Sequence, residues 1–460
     1  MNLPSSYLVT VHGSIVWYEE TTNTLRHAIG IPALRNLMLE SRGSQTALVA
    51  RNTSGPIPID SLRPDGRLGR SPGGAPLLLQ RKYVSDGLFS LEANGAYLCA
   101  EADGTMSLTR EEQGPWELFL AIDDADLDWL AYVVGRSWLS AASETVLPGS
   151  SIRPANGFSV QVGQITLRLS EFLAARPQDG DLDRITLYYD TWKVEQLSAW
   201  RPLIYMLAFG KDEIFESLHL SLQSLRQFGH YDGDILIFTD RMPDQLARFV
   251  PPGFEKQIKL ATAPVRDVLD CMATKFRISE IQHLAHYQPL LYLDVDVICD
   301  RPVEPVLRRI HHAGRICVAL EHDLLGAHNF YGANLFAADP TARPRDSRGC
   351  SSGLMGIPDM ATARRSFPAI INSLYGTARV VGNRHPSDWY DQPVVNYVLH
   401  KTDAADFTTL TPYVVTPVDL TAPLSDIRRL GFAHFCGGVG NTETKLPAMR
   451  AYLELLRQAD

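Results

Sequence analysis

The sequence is poor in several things, and each shortage excludes something. Cysteine is scarce: six in 460 residues, Cys99, Cys271, Cys299, Cys317, Cys350 and Cys436, with no CxxC pair and no regular spacing. A zinc ribbon or a disulfide scaffold is therefore not expected, and a reducing compartment fits better. Positive charge is in deficit, 43 Lys and Arg against 52 Asp and Glu for a net charge of −9. That disfavours a nucleic-acid partner, whose phosphates would demand Lys and Arg. No run of 18 or more apolar residues occurs, so no membrane span is expected. The opening MNLPSSYLVTVHG lacks a basic segment ahead of an apolar run. It does not read as a secretory signal, and the expected location is cytoplasmic. Hydrophobic content of 45% and charged content of 21% are ordinary globular usage, and the length suits two large domains.

Residues 1–168 read as all-β. Short apolar runs are broken by Gly, Asn, Asp, Ser and Pro. In LFSLEANGAYLCAEADGTMSL, Leu88 to Leu108, two alternating runs flank Asn94-Gly95 and a third follows Asp103-Gly104, the strongest short-range hairpin signal. Weak self-similarity starts at Tyr7, Leu88 and Leu130, which suggests three copies of about 40 residues. The Gly/Pro-rich stretch Thr53 to Pro76 interrupts the first copy and reads as a surface loop. The pattern NGAYL…DG…GPWELF resembles fascin-like β-trefoil lobes, closely over Leu88 to Phe119 and loosely in the other two copies. The resemblance implies a β-trefoil domain. Residues 169–201, with a Pro/Asp/Gly break at Pro177 to Asp183, read as a linker.

From residue 202 the texture changes. LIYMLAF and DILIFTD are continuous apolar runs, and EIFESLHLSLQSLRQF between them has helical spacing. A helix near Pro243 to Phe249, a strand at QIKLAT, a helix from Ala273 to His286 and the strand PLLYLDVDVIC continue the alternation. Strand–helix–strand repeats with apolar strands specify an α/β domain, Rossmann-like with a mainly parallel sheet, over 202–460.

LYLDVDV is the most informative stretch. Residues two apart on a strand share a face, so Asp294 and Asp296 point one way, at the end of an apolar run where open α/β sheets bind ligands. Two carboxylates on one face repel unless a cation lies between them, and Mg²⁺ or Mn²⁺ shared with diphosphate oxygens answers that demand. Two solvated Asp residues at a strand end would be the bland alternative. His434, in GFAHF ahead of Gly437 and Gly438, is the third candidate ligand, against the alternative of a satisfied core histidine.

LLYLDVDVICDRPVEPVL resembles the DxD strand of nucleotide-sugar glycosyltransferases of the GT-A fold, especially the glycogenin-like, GT8-type group. Other segments resemble that group's motifs in order: LIYMLAFGKDE at the first strand, TKFRISE with Lys275, CSSGLMGI where Ser351 replaces the usual Asn, DQPVVNYVL, and FAHFCGGVGNTETK. The resemblance implies a retaining, metal-dependent hexosyltransferase, a UDP-sugar donor and a carbohydrate or protein acceptor. It assigns the nucleotide-sugar contacts to Leu207, Ala208, Phe209, Lys275, Asp294, Val295, Asp296, Ser351, Ser352, Gly353, Gln392, Gly437, Gly438 and Lys445, and the metal to Asp294, Asp296 and His434. Short apolar and small residues at 207–210 suit a stacked base, and the glycines let backbone N–H groups approach a diphosphate beside Lys445. Asp391, opening the helix DQPVVNYVLH, is the candidate acid/base or nucleophile, held ionised by the helix N-terminus; a plain capping Asp is its alternative. Asp388 is second. Trp389 and Tyr390 are candidate sugar-stacking residues.

Two rivals stand beside this reading. A DxD phosphohydrolase would carry the motif on its first strand and would need a later GDxxxD, which is not present. A non-catalytic carbohydrate-binding protein with a degenerate transferase domain is the other, and Ser351 in place of Asn is what favours it.

Overall fold

The structure is a computed structural model that describes residues 6–29, 36–42, 44–52, 55–63, 66–69, 75–85, 87–177, 181–326, 329–344, 346–385, 390–417, 423–436 and 442–459. The chain forms two compact units, 1–199 and 200–460.

In the first unit Tyr7–Thr10 pairs antiparallel with Leu118–Ile122, which pairs with Leu88–Ala93, then Leu78–Ser85, Gln45–Asn52 and Leu37–Arg42. Leu39 N donates to Ser6 O at 2.9 Å and brings the sixth strand back beside the first. The six strands thus make a ring, and hairpins at Ser14–Glu19 with Thr24–Ile29 and Ala96–Ala100 with Met106–Arg110 extend from it. Leu8, Leu48, Leu79, Leu91, Leu98 and Phe119 fill the interior. Two expectations are corrected here. The stretch 53–76 is more than a surface loop: Gly55–Pro58 adds a strand, and Ile59, Leu62 and Leu68 are buried. The third expected copy does not enter the ring. Its first residue, Leu130, lies in the helix Asp124–Val133, which Asp123 caps by accepting from Asp126 N at 2.7 Å. Leu127, Leu130 and Val133 recur at helical spacing and are buried.

The expected linker is likewise structured. Phe172 of the helix Leu169–Ala174, and Ile185, Leu187 and Leu197 of the hairpin Arg184–Tyr189 with Lys193–Ala199, share a core with Trp129 and Trp138. Burying these side chains is worth about 1.5–3 kcal/mol each, which a free linker would forgo.

The second unit runs β1 (Leu203–Ala208), α1 (Asp212–Gln227), β2 (Asp234–Thr239), β3 (Ile258–Thr262), α2 (Val268–Thr274), β4 (Leu290–Leu293), β5 (Val297–Cys299), α3 (Glu304–His312), β6 (Ile316–Asp323), β7 (Arg348–Ile357), α4 (Met360–Val381), α5 (Gln392–Lys401), β8 (Ala405–Asp406), β9 (Val414–Val415), β10 (Phe432–His434) and α6 (Thr442–Ala459), with short helical turns between. Seven strands form one sheet in the order β3-β2-β1-β4-β7-β6-β8. β7 is antiparallel to both its neighbours and the other pairings are parallel. The apolar runs are explained by burial on both faces. Leu203, Tyr205, Leu290 and Tyr292 enter one core, while Ile204, Met206, Leu291 and Leu293 enter the other. The helix expected over 273–286 begins earlier, because Asp267 caps α2 by accepting from Asp270 N at 3.0 Å, and it ends at Thr274. Among the described residues no helix is long and apolar enough to cross a membrane.

Candidate active site

The parallel strands β1, β2 and β4 all end on one edge of the sheet, and the chain leaves β4 there at Leu293. Asp294, Val295 and Asp296 are not strand. They form a turn closed by Val297 N donating to Asp294 O at 3.2 Å, after which β5 joins a small sheet with β10 and β9. Strand alternation therefore does not place the two carboxylates; the turn does. Three backbone bonds fix it: Asp294 N donates to Gly353 O at 2.8 Å, Phe435 N donates to Asp296 O at 2.9 Å, and Val297 pairs with His434 across β5 and β10.

One atom from each of Asp294, Asp296 and His434 lies within 4.8 Å of the others. His434 Nε2 is 3.4 Å from Asp296 Oδ1 and 3.9 Å from Asp294 Oδ2. The opposite atom of each ligand is already engaged. Tyr292 OH donates to Asp294 Oδ1, Lys445 Nζ donates to Asp296 Oδ2 at 2.6 Å, and Ser351 Oγ lies 3.4 Å from His434 Nδ1. Asp296 Oδ1 and His434 Nε2 are buried yet form no hydrogen bond; they are near enough to attract but not aligned for one. Buried polar atoms without partners are costly, and a hard cation between them removes the cost. Adjacent ligands of an octahedral ion with bonds of about 2.1 Å lie about 3 Å apart; here Nε2 stands 3.4 and 3.9 Å from the two carboxylate oxygens, so a modest contraction would complete the set. Two carboxylate oxygens and one imidazole suit Mn²⁺ at least as well as Mg²⁺. The donor set fits a divalent cation. Burial opposes charge on Asp296, but Lys445 and His434 beside it hold the carboxyl well below the usual range. Burial also opposes charge on His434 and Lys445, and Asp296 raises both.

Gly353 is required by this packing. A Cβ there would sit 2.4 Å from His434 Cε1 and 2.9 Å from Asp294 Oδ2.

Beside the triad lies a second charged group. Lys275 Nζ is 2.8 Å from Asp391 Oδ2 and 3.8 Å from Asp294 Oδ1, and it donates to Ser352 O at 3.0 Å. Asp391 precedes α5, but its side chain makes no capping bond; it turns inward to Lys275 and accepts from Ser352 Oγ at 3.3 Å. Beside the helix end at which Asp391 stands, Lys275 is the cation in direct contact with its carboxylate. Burial pushes the Asp391 carboxyl up, against Lys275, which lowers it. Burial pulls Lys275 down, but Asp294 and Asp391 more than compensate and leave it raised.

Gln392 Oε1 accepts from Ser352 N at 3.4 Å, and its amide donates to Phe330 O at 3.3 Å. Ala208 is buried at the end of β1, Leu207 and Phe209 pack against the core, and Val295 is half-buried in the turn. Asp388, Trp389, Gly437, Gly438 and Gly440 lie outside the described residues.

Four residues of the site were not found by sequence reasoning. Tyr292 holds Asp294, and its alternation within LYLD was the available signal. Asn396 has its amide on Cys350 N at 2.7 Å and Cys350 O at 2.9 Å, docking α5 to β7; a lone amide among Val and Leu could have marked it. Asp240 accepts from Gly210 N at 3.2 Å, and Arg241 donates to Gly210 O at 3.2 Å, which shapes the mouth of β1 where Gly210 takes a φ of +89°.

No family profile matches the sequence, and no curated protein matches it. Among solved structures the chain is similar to the galactosyltransferase LgtC in complex with donor and acceptor sugar analogs, with a TM-score of 0.39 and 14% identity over 56% of this chain and 95% of that one. It is similar to mouse xyloside xylosyltransferase 1, with a TM-score of 0.38 and 12% identity over 53% and 98%. It is similar to WbbM, a bifunctional glycosyltransferase, with a TM-score of 0.40 and 10% identity over 60% and 54%. At these scores the likenesses carry no inference about this chain, whose chemistry is read from its own residues.

Proposed function

We propose that the second unit is a GT-A glycosyltransferase that moves a sugar from a nucleotide-sugar to a carbohydrate or protein acceptor, with Mn²⁺ or Mg²⁺. The observation that carries this is the convergence of Asp294 Oδ2, Asp296 Oδ1 and His434 Nε2 at the ends of the parallel strands. When bound, the cation supplies Lewis-acid neutralisation of the leaving diphosphate. The protein's part is to hold three ligands in place through Tyr292, Lys445 and Ser351, and to add the positive charge of Lys445 beside them. Asp391, held by Lys275 and Ser352, is the group that faces the sugar side and stabilises or moves charge there. Asp388 is the second candidate for that role.

The resemblance in the sequence supports a UDP donor, a GT8-type grouping and retention. The base would stack at the end of β1, near Leu207 to Gly210, and the sugar would be chosen by Ser352, Gly353, Gln392 and the loop before Asp391. Ser351 is better placed for His434 than for a sugar. In the first unit, the six-stranded ring with its hairpins supports a β-trefoil over residues 6–122, serving targeting or acceptor binding. Six cysteines, all of them free thiols, support a reducing compartment such as the cytoplasm.

The test is calorimetry of UDP, GDP, CMP and ADP with and without Mn²⁺, followed by UDP-sugar turnover. UDP should bind only with Mn²⁺, and Asp296→Ala should stay folded but lose both binding and turnover. Full turnover in Asp296→Ala or in EDTA would refute the assignment.

A further inference from the structure

We propose that Asp300 is a positioning residue for the candidate site: its two carboxylate oxygens fasten the strand that carries His434 and the helix that carries Lys445, and so bring both groups to Asp296. The proposal rests on reading the triad as a cation site, and it gives a role to a buried carboxylate that the proposed chemistry leaves unused.

Asp300 directly follows β5 and is buried. Its backbone N donates to Gly431 O at 2.9 Å, and Gly431 N donates to its Oδ1 at 2.8 Å. These two bonds add a rung to the ladder in which Cys299 faces Phe432, Ile298 faces Ala433 and Val297 faces His434. The chain enters β10 at that rung. Gly431 takes a φ of +148° there, and a Cβ on it would lie 3.1 Å from Tyr413 O, so the entry is shaped for glycine. With the rung closed, His434 is held opposite Val297, the residue after Asp296.

The other oxygen serves α6. Tyr452 OH donates to Asp300 Oδ2 at 2.9 Å. Tyr452 lies about two helical turns beyond Lys445 on the same face of the helix, and Lys445 Nζ donates to Asp296 Oδ2 at 2.6 Å. Met449, Leu453 and Leu456 of α6 also pack with Ile298 and Phe435. Apolar burial is non-directional, whereas a hydrogen bond to a fixed oxygen has a direction and a length. The Tyr452 bond therefore sets where α6 sits along its axis, and with it where the Lys445 ammonium ends. A carboxylate suits this place because it accepts at both oxygens and donates nothing, which matches two donors arriving from two elements. Partners that orient metal ligands from behind are generally worth about 10- to 100-fold in metal affinity or activity.

The two oxygens can be tested apart. Asp300→Ala removes both fastenings, Tyr452→Phe only the one to α6, and Lys445→Met the group that α6 delivers. Asp300→Asn keeps an oxygen for Gly431 N–H and offers Tyr452 an N–H to accept. In calorimetry with UDP and Mn²⁺, Asp300→Ala and Tyr452→Phe should bind about 10- to 100-fold more weakly, with Asp300→Asn close to wild type. In a Lys445→Met background Tyr452→Phe should add nothing, because it acts through Lys445, whereas Asp300→Ala should still weaken binding through His434. Amide hydrogen exchange on the chain without UDP or metal reads the fastenings directly. Asp300→Ala should speed exchange by about 10-fold, the worth of one hydrogen bond, at Gly431 and along residues 446–452; Tyr452→Phe should do so along 446–452 alone. Unchanged UDP affinity in both variants overturns the proposal, as do losses from Tyr452→Phe and Lys445→Met that simply add. If Asp300→Ala does not fold, Tyr452→Phe decides. If the wild-type chain binds neither Mn²⁺ nor UDP, the proposed function fails and exchange alone decides the assignment, which unchanged rates at Gly431 and along 446–452 in Asp300→Ala would overturn.

Discussion

Lys275 Nζ stands 2.8 Å from Asp391 Oδ2, with the two side chains only 6% and 7% exposed. A buried pair of this kind is not itself strong evidence for stability, because both charges have left water. Its value here is positional. The same ammonium reaches Asp294 and the carbonyl of Ser352, so one cation ties the candidate sugar-side carboxylate to the metal-side one.

Breaking that pair from one side should be expensive. Lys275→Met should destabilise the second unit by about 3–5 kcal/mol, because it leaves buried Asp391 without its cation. The double variant Lys275→Met with Asp391→Asn should recover a substantial part. Denaturant unfolding of the two single variants and the double measures the coupling, and strict additivity would contradict it.

Gly353→Ala tests the clearance beneath the triad. The added methyl would press on His434 and Asp294, at 2.4 Å and 2.9 Å. Overpacking should cost about 1–3 kcal/mol of stability. Mn²⁺ affinity should fall further than that of a variant equally destabilised elsewhere. Calorimetry on a folded sample checks this, and unchanged Mn²⁺ affinity would show that His434 and Asp294 are not the ligands.

Asn396→Ala should strip partners from the buried Cys350 N–H and C=O. Each unsatisfied group costs about 1–3 kcal/mol. Asn396→Asp restores the acceptor for Cys350 N but not the donors for Cys350 O and Gln392 O, so it should recover only part. Thermal or denaturant unfolding reads the difference, and a loss below about 0.5 kcal/mol in Asn396→Ala would contradict this docking role.

His400 carries a pH dependence away from the site. Burial pulls its imidazole down to about 4 from the ordinary 6.5. It lies stacked on Phe407 with ring centroids 4.6 Å apart. Below 6.5 the unfolded chain takes up the proton before the folded one does. Its contribution to stability is therefore complete above pH 6.5, falls as pH drops towards about 4, and flattens below. The slope in that window is at most about 1.4 kcal/mol per pH unit from this group. Stability measured across the window should fall less steeply in His400→Gln than in the native chain; equal slopes would show that His400 does not carry it.

The α/β alternation of the second unit was legible because its strands are buried on both faces, so the apolar runs at Leu203 and Leu290 had no other reading. The first unit was harder. The hairpins at Asn94-Gly95 and Asp103-Gly104 are local, and turn chemistry displayed them. The ring is not local. Pairing of Tyr7–Thr10 with Leu118–Ile122 joins distant segments, and no period in the sequence announces such a partner. At Leu130 self-similarity suggests a strand, but the cap at Asp123 and the apolar spacing behind it make a helix.

What the sequence determined by itself were residue types whose chemistry is narrow: two Asp separated by one residue after an apolar run, a His among small residues, a Lys and an Asp in segments that resemble one family. Only the tertiary structure decided their relations. Asp294 and Asp296 face one point because a turn, not a strand, carries them. His434 meets them because β10 pairs with β5. Asp391 finds Lys275 instead of its own helix, and Ser351 finds His434. Each of these depends on long-range packing that brings separate segments within 2.6–3.9 Å, and a linear order of residues holds no such distance.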